Sequence, residues 1–107
     1  MGRRVKRGTI LQYAVGGQRL RVVVLTADRY NPAHALIAPL RERTPPEQTP
    51  AFLVPLTRAD WPTAAVIDLT RTRALDPAAI TGDAGKLTPD TTALLNTAVR
   101  TYLGART

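Results

Sequence analysis

The chain has 107 residues, with 15 Lys and Arg against 8 Asp and Glu, one His and no Cys. This length holds one domain, and such a chain buries roughly 65% of the surface its unfolded form exposes, enough for a core without staples. Lack of Cys excludes disulfides, thiolate metal sites and cysteine nucleophiles, and a single His excludes a His pair on zinc. No apolar run approaches the ~20 residues of a membrane span. The charged N-terminus is not followed by an apolar stretch, so the expectation is a small, soluble, cytoplasmic protein.

The net charge is +7. Four of the first seven residues are basic (Arg3, Arg4, Lys6, Arg7), so more than half of the excess sits in residues 1–7. A basic surface of this kind attracts phosphate backbones or an acidic protein segment. Arg19 and Arg21 lie inside a strand-like segment, where two cations are costly without a partner.

In chain order, Thr9 to Val15 reads as a strand opened by Gly8. Gly16-Gly17 supplies the two residues able to take positive φ that a two-residue hairpin needs. The second strand runs from Gln18 to about Thr26, and Val22-Val23-Val24-Leu25 is apolar on both faces, which predicts a central buried strand. Asp28 to Ala33 is a turn. Ala35-Leu36-Ile37-Ala38 reads as a buried strand halted at Pro39, and Arg41 to Pro50, with three prolines and alternating charge, as an exposed loop. Phe52-Leu53-Val54 resumes a strand, with Pro55 marking an edge or bulge. Thr57 to Thr63 connects it, carrying the only Trp, to the strand Ala65–Leu69, and Arg73-Ala74-Leu75 forms a short one.

The end of the chain changes character. Thr88-Pro89-Asp90 is a helix start: a Thr N-cap, Pro at the first helical position and an acid in the first turn. Leu95, Ala98, Val99 and Tyr102 follow at spacings of three and four, giving one apolar face, and Gly104 ends the helix. Five or six short strands with a closing helix predict a mainly β fold, a small, strongly bent sheet or SH3-like barrel.

The order of these motifs resembles the MazF/PemK toxins. Val5-Lys6-Arg7-Gly8 resembles the basic-Arg-Gly opening before strand one. Gly17-Gln18-Arg19 followed by Val22 to Asp28 resembles that family's Arg, hydrophobic strand and Asn-Asp ending. Ala35 to Leu40, Val54-Pro55-Leu56, Val66 to Leu69, Arg73 to Asp76 and Leu87 to Leu103 follow in the family's order, so the likeness spans nearly the whole chain.

The resemblance implies an SH3-like barrel, usually dimeric, and a toxin of a toxin–antitoxin pair. It implies metal-independent cleavage of single-stranded RNA, without a cofactor, by attack of the 2′-OH on the adjacent phosphorus with a 5′-OH leaving. It implies an Arg near the start of strand two at the phosphate, a Ser or Thr after strand three, and a partner antitoxin with an acidic, partly disordered segment. The sequence departs from the pattern: the first loop is cut to Gly16-Gly17, the family's Arg-Pro is Arg19-Leu20-Arg21, and Arg41 stands where the hydroxyl is expected, with Thr44 the nearest. Either Arg19 or Arg21 fits the phosphate role.

The residues support this chemistry in their own right. A planar guanidinium binds two phosphate oxygens at once and meets the charge that develops in phosphoryl transfer. Arg19 and Arg21 share a face by strand period, and with Arg41 they form an expected phosphate clamp; the competing reading is solvated edge-strand charges. The expected catalytic residues are Arg19, Arg21 and Thr44, and the expected RNA-binding residues are Arg41, Arg43, Lys6, Arg7 and Trp61. Trp61, Tyr13 and Tyr30 are weighed as stacking platforms against packing roles, His34 as a general base against a surface role, and Asp68 and Asp76 as structural partners of Arg71 or Arg73. Two other functions compete: a non-enzymatic gyrase poison like CcdB on the same fold, and a basic SH3-like nucleic-acid- or protein-binding module without chemistry.

Overall fold

The computed structural model describes residues 6–26, 35–42 and 52–102. Seven strands appear among them: β1 (Thr9–Val15), β2 (Gln18–Val24), β3 (Leu36–Glu42), β4 (Leu53–Pro55), β5 (Ala65–Asp68), β6 (Arg73–Ala74) and β7 (Ile80–Lys86). The helix α1 (Pro89–Tyr102) follows. All pairings are antiparallel, in the order β4-β5-β3-β2-β1-β7, with β6 also on β3. The two ends of this path, β4 and β7, are not paired with each other among the described residues, so the bent sheet stays open between them.

The hairpin β1–β2 turns at Gly16 (φ 56) and Gly17 (φ 82), with Val15 opposite Gln18. Two consecutive positive φ values match the twist of the strands they join. A Cβ at Gly17 would meet nothing within 4 Å, so replacement strains only the backbone. Gly17→Ala is therefore expected to lower stability by about 1 kcal/mol, read as a shift in denaturant midpoint with an unchanged slope.

Strand β2 is central, as its unbroken apolar run predicts: it lies between β1 and β3, and Val22, Val23 and Val24 are all buried. Alternation along the strands splits the apolar side chains into two cores. Ile10, Val23, Ala38, Val54, Ile67 and Leu69 pack on one face beneath Leu95 of α1. Leu11, Tyr13, Val22, Val24, Ile37 and Leu75 pack on the other. The helix face is the expected one, with Leu95 fully buried and Ala98, Val99 and Tyr102 packed against the first core. Thr88 caps it, its Oγ1 accepting from the Thr91 N–H at 3.3 Å.

Two expectations are corrected. Strand β3 does not halt at Pro39 but continues to Glu42, taking Arg41 and Glu42 out of the expected loop. The reason lies in its partners. β5 and β6 are two pieces of one strand along β3, interrupted by a 3-10 turn at Leu69–Arg71. Leu40 faces Ile67 and Ile37 faces Arg73, so Pro39 has no partner on that edge. The Leu25 N–H donates to the Leu36 carbonyl (2.8 Å) and the Leu75 N–H to the Ala35 carbonyl (2.8 Å). Counting alternate residues from there, the Pro39 nitrogen points into the gap, where no donor is required.

The second correction is β7, which sequence reading left unassigned. Ile-Thr-Gly-Asp-Ala-Gly-Lys carries two glycines and a single large apolar residue, Ile80. It pairs with β1 in a register that shifts twice, between Ile10 and Leu11 and between Gln12 and Tyr13. Residues 43–51 and 27–34 lie outside the described part, and with them Arg43, Thr44, Tyr30 and His34. No helix among the described residues is long and apolar enough to cross a membrane.

Candidate nucleic-acid groove

Beyond Ile10 and Val23, the α1-facing side of β1 and β2 turns polar. Gln12 is opposite Arg21 and Ala14 opposite Arg19. Arg19 and Arg21 are both exposed, alternating with half-buried Leu20 and buried Val22, so the shared face expected from the sequence is present. Both border a groove of about 410 Å³, lined by Gln12, Tyr13, Arg19, Leu20, Arg21 and Thr81. None of these six residues is acidic, and neither Arg forms an ion pair with a described carboxylate. Cations gathered without counter-charge in a concavity focus positive potential there.

Arg21 is the more constrained of the two. Its Cζ sits 5.8 Å from the Trp61 ring centroid. Trp61 is half-buried and leans on the first core, so the indole acts as a shelf anchored in packed structure. A contact of this kind contributes about 0.5–1 kcal/mol at an exposed site and restricts the guanidinium's freedom.

The shelf is held by the β4–β5 connection. The buried Asp60 carboxylate accepts from the Thr57 N–H (2.8 Å), the Thr57 hydroxyl (2.9 Å), the Thr88 N–H (2.7 Å) and the Thr91 hydroxyl (2.6 Å). It thereby ties the residue next to Trp61 to the first turn of α1. Burial pushes its pKa up, but the hydrogen bonds from Thr91, Thr88 and Thr57 outweigh that and hold it at about 2. Sequence reading missed Asp60, because the partners that tie it to α1 lie 28 and 31 residues away.

The other expected site residues are elsewhere. Arg41 faces Val66, shares the strand parity of Pro39 and Ile37, and so lies on the sheet face opposite Arg19 and Arg21. Its Nε is 3.4 Å from Asp68, which also meets Arg71 at 3.8 Å. The expected three-arginine clamp is thus reduced to two, because residues of opposite parity cannot share a face. Arg7 donates from Nε to the Leu25 carbonyl (3.1 Å) and from Nη1 to Asn96 (2.9 Å), fastening the residue after β2 to α1, and it does not line the groove. Lys6 is exposed and does not line it.

Tyr13 is buried and its hydroxyl accepts from the Asp76 N–H at 2.9 Å, so its ring packs rather than stacks. Asp68 caps the 3-10 turn Leu69–Arg71 at the Thr70 N–H, and Asp76 caps a second, Pro77–Ala79, at the Ala78 N–H, both as structural residues. Gln12 and Thr81 were not singled out from the sequence. Gln12 was legible, being opposite Arg21 in a hairpin of known register, whereas Thr81 comes with the unassigned β7.

A family model described as PemK-like, MazF-like toxin of type II toxin-antitoxin system matches residues 6–103. The chain belongs to this family. Comparison with curated proteins finds no match. Among solved structures, an endoribonuclease in complex with its cognate antitoxin from a mycobacterial species is similar in fold, with TM-score 0.78 and 20% identity. That likeness covers 94% of this chain and 95% of the other. MazE-MazF from Deinococcus radiodurans gives TM-score 0.76 and 20% identity over 95% and 97% of the two chains. A mycobacterial endoribonuclease gives 0.75 and 20% over 97% and 95%. At this identity the likeness establishes a shared fold, and the mainly β toxin architecture with its C-terminal helix is the expected one. Membership of the toxin family likewise accords with the order of motifs along the chain.

Proposed function

We propose that this toxin-family chain is a metal-independent endoribonuclease acting on single-stranded RNA. The observation that carries the reading is the pair of guanidinia, Arg19 and Arg21, side by side in one groove and without an ion pair among the described residues. In the reaction an O2′–P bond forms as the P–O5′ bond breaks. The 2′-hydroxyl loses its proton and O5′ gains one, leaving a 5′-OH end. Negative charge grows on the nonbridging oxygens, and fixed cations beside them lower the barrier. Arg21, steadied by Trp61, faces the scissile phosphate, and Arg19 takes the adjoining backbone.

The same groove accounts for a protein partner. A carboxylate-rich segment of an antitoxin competes for the two arginines by the chemistry that draws phosphate. The structures similar in fold include complexes of such toxins with their antitoxins. A homodimer accompanies this reading. Cytoplasmic RNA would be the target.

One observation favours a second reading, a binding module without chemistry. Arg41, standing where the family resemblance calls for a hydroxyl, is turned to the opposite face and paired with Asp68. A cleavage assay separates the two. Incubated with single-stranded RNA in EDTA, the protein is expected to produce fragments with 5′-OH ends. Intact RNA at large enzyme excess overturns the ribonuclease reading in favour of the binding module.

A further inference from the structure

We infer that Thr81 is the hydroxyl donor of this groove, hydrogen-bonding a nonbridging oxygen of the phosphodiester that Arg21 holds. The inference rests on the nucleic-acid reading of the groove and adds to it a residue on a third strand.

The register of β7 singles out Thr81. Ile80 pairs with Tyr13 and Gly82 pairs with Gln12, so Thr81 has no partner on β1. Two residues of β7 therefore occupy a step that takes one on β1, which is a β-bulge. A bulge releases a residue from the ladder and re-aims its side chain. On one side of it, Ile80 packs into the second core. On the other, Gly82 keeps the wall low: a Cβ there would stand 3.4 Å from the Gln12 Oε1. The Gln12 amide lies over that glycine, and Thr81 stands exposed at the groove's edge.

The chemistry of the lining points the same way. The Tyr13 hydroxyl is engaged by the Asp76 N–H. Thr81 carries the other hydroxyl of the groove, and it bonds to no described residue. Arg21 and Gly82 flank Gln12 from opposite sides, because β1 runs between β2 and β7. A phosphate resting over Gln12 is thus reached by a long cationic fork from β2 and by a short neutral donor from β7. The fork fills two acceptor positions, and the hydroxyl satisfies a third and fixes the phosphate's rotation.

The test uses the full chain with Thr81→Val, which keeps shape without the hydroxyl, and Thr81→Ser, which keeps the hydroxyl. Cleavage is measured on a single-stranded oligoribonucleotide. Binding is measured on the 2′-O-methyl version of the same oligonucleotide, which presents the same phosphates and resists attack. Thr81→Val is expected to lower kcat/KM by about 10- to 100-fold and to weaken binding, with an unchanged melting temperature. Thr81→Ser is expected to stay within about three-fold of the parent.

Parent-like behaviour of Thr81→Val, while Arg21→Ala loses cleavage, overturns the role of Thr81 and leaves the ribonuclease reading standing. A parent protein that binds the oligonucleotide without cutting it overturns the ribonuclease reading, and Thr81 then stands or falls on the binding loss in Thr81→Val. Equal impairment of the Ser and Val variants, or a parent that neither binds nor cuts, overturns the inference.

Discussion

Arg21→Ala is expected to reduce kcat/KM for single-stranded RNA cleavage by on the order of 10²- to 10³-fold, carried mainly by kcat. The reason is preorganisation. Trp61 lies 5.8 Å from the Arg21 guanidinium and is itself packed on the first core, so the cation is already placed before charge develops on the phosphate. A group fixed in advance costs no reorganisation at the moment of reaction. Arg19 has no such shelf among the described residues and faces the smaller Ala14 across the hairpin. Its replacement by Ala removes general attraction for the backbone and belongs in KM. Arg21→Lys is a further arm of the same experiment: an ammonium keeps the charge but not the planar fork, so it leaves most of the defect in place. Single-turnover rates and binding to a cleavage-resistant oligonucleotide separate the two effects. A larger kcat defect for Arg19→Ala than for Arg21→Ala reverses the assignment of roles, and full activity in both variants removes the groove from the reaction.

Asp60→Ala is expected to destabilise the fold by about 3 kcal/mol, seen as a lower denaturant midpoint. The carboxylate accepts four hydrogen bonds, from two backbone N–H groups and two threonine hydroxyls, at a buried position. Truncation leaves those donors without an acceptor and takes a negative charge from the N-terminal end of α1, where the helix dipole favours it. Asp60 also accounts for part of the acid sensitivity. Its folded pKa, about 2, lies below the ordinary value of 3.8, so the folded state binds its proton less readily than the unfolded chain. The stabilisation is complete above about pH 4 and is lost as pH falls through about 2, a contribution of about 2 kcal/mol. Asp60→Asn retains an acceptor oxygen and removes this acid limb. Stability curves of the parent and Asp60→Asn that stay parallel from pH 6 to pH 2 contradict the assignment.

The two experiments meet at the connection between β4 and β5. Asp60 fastens that connection to α1, and the next residue, Trp61, supports Arg21. The helix that closes the core is therefore linked through a single loop to the indole on which the Arg21 guanidinium rests. No motif announces this link, since Thr57-Arg-Ala-Asp-Trp reads locally as a connection and its significance lies in residues far along the chain.

Signals that live within a few residues were legible in the sequence. Gly16-Gly17 fixed the hairpin because only positive φ suits its turn, and once that register was set, Arg19 and Arg21 had to share a face. Val22-Val23-Val24 marked the central strand, and Thr88-Pro89-Asp90 the helix start. The order of these local patterns was enough to place the chain in its family. The tertiary structure alone decided matters that depend on partners distant in sequence. Strand β3 passes through Pro39 because the 3-10 turn between β5 and β6 leaves a gap for a residue with no N–H. Arg41 turns away from Arg19 and Arg21 because that continuation carries its parity to the opposite face. Strand β7 exists because β1 offers it an edge, and its bulges deliver Thr81 to a groove begun by other strands. Backbone preference is a property of neighbours along the chain, whereas a ladder's register and the facing of its side chains belong to the pair of strands that form it.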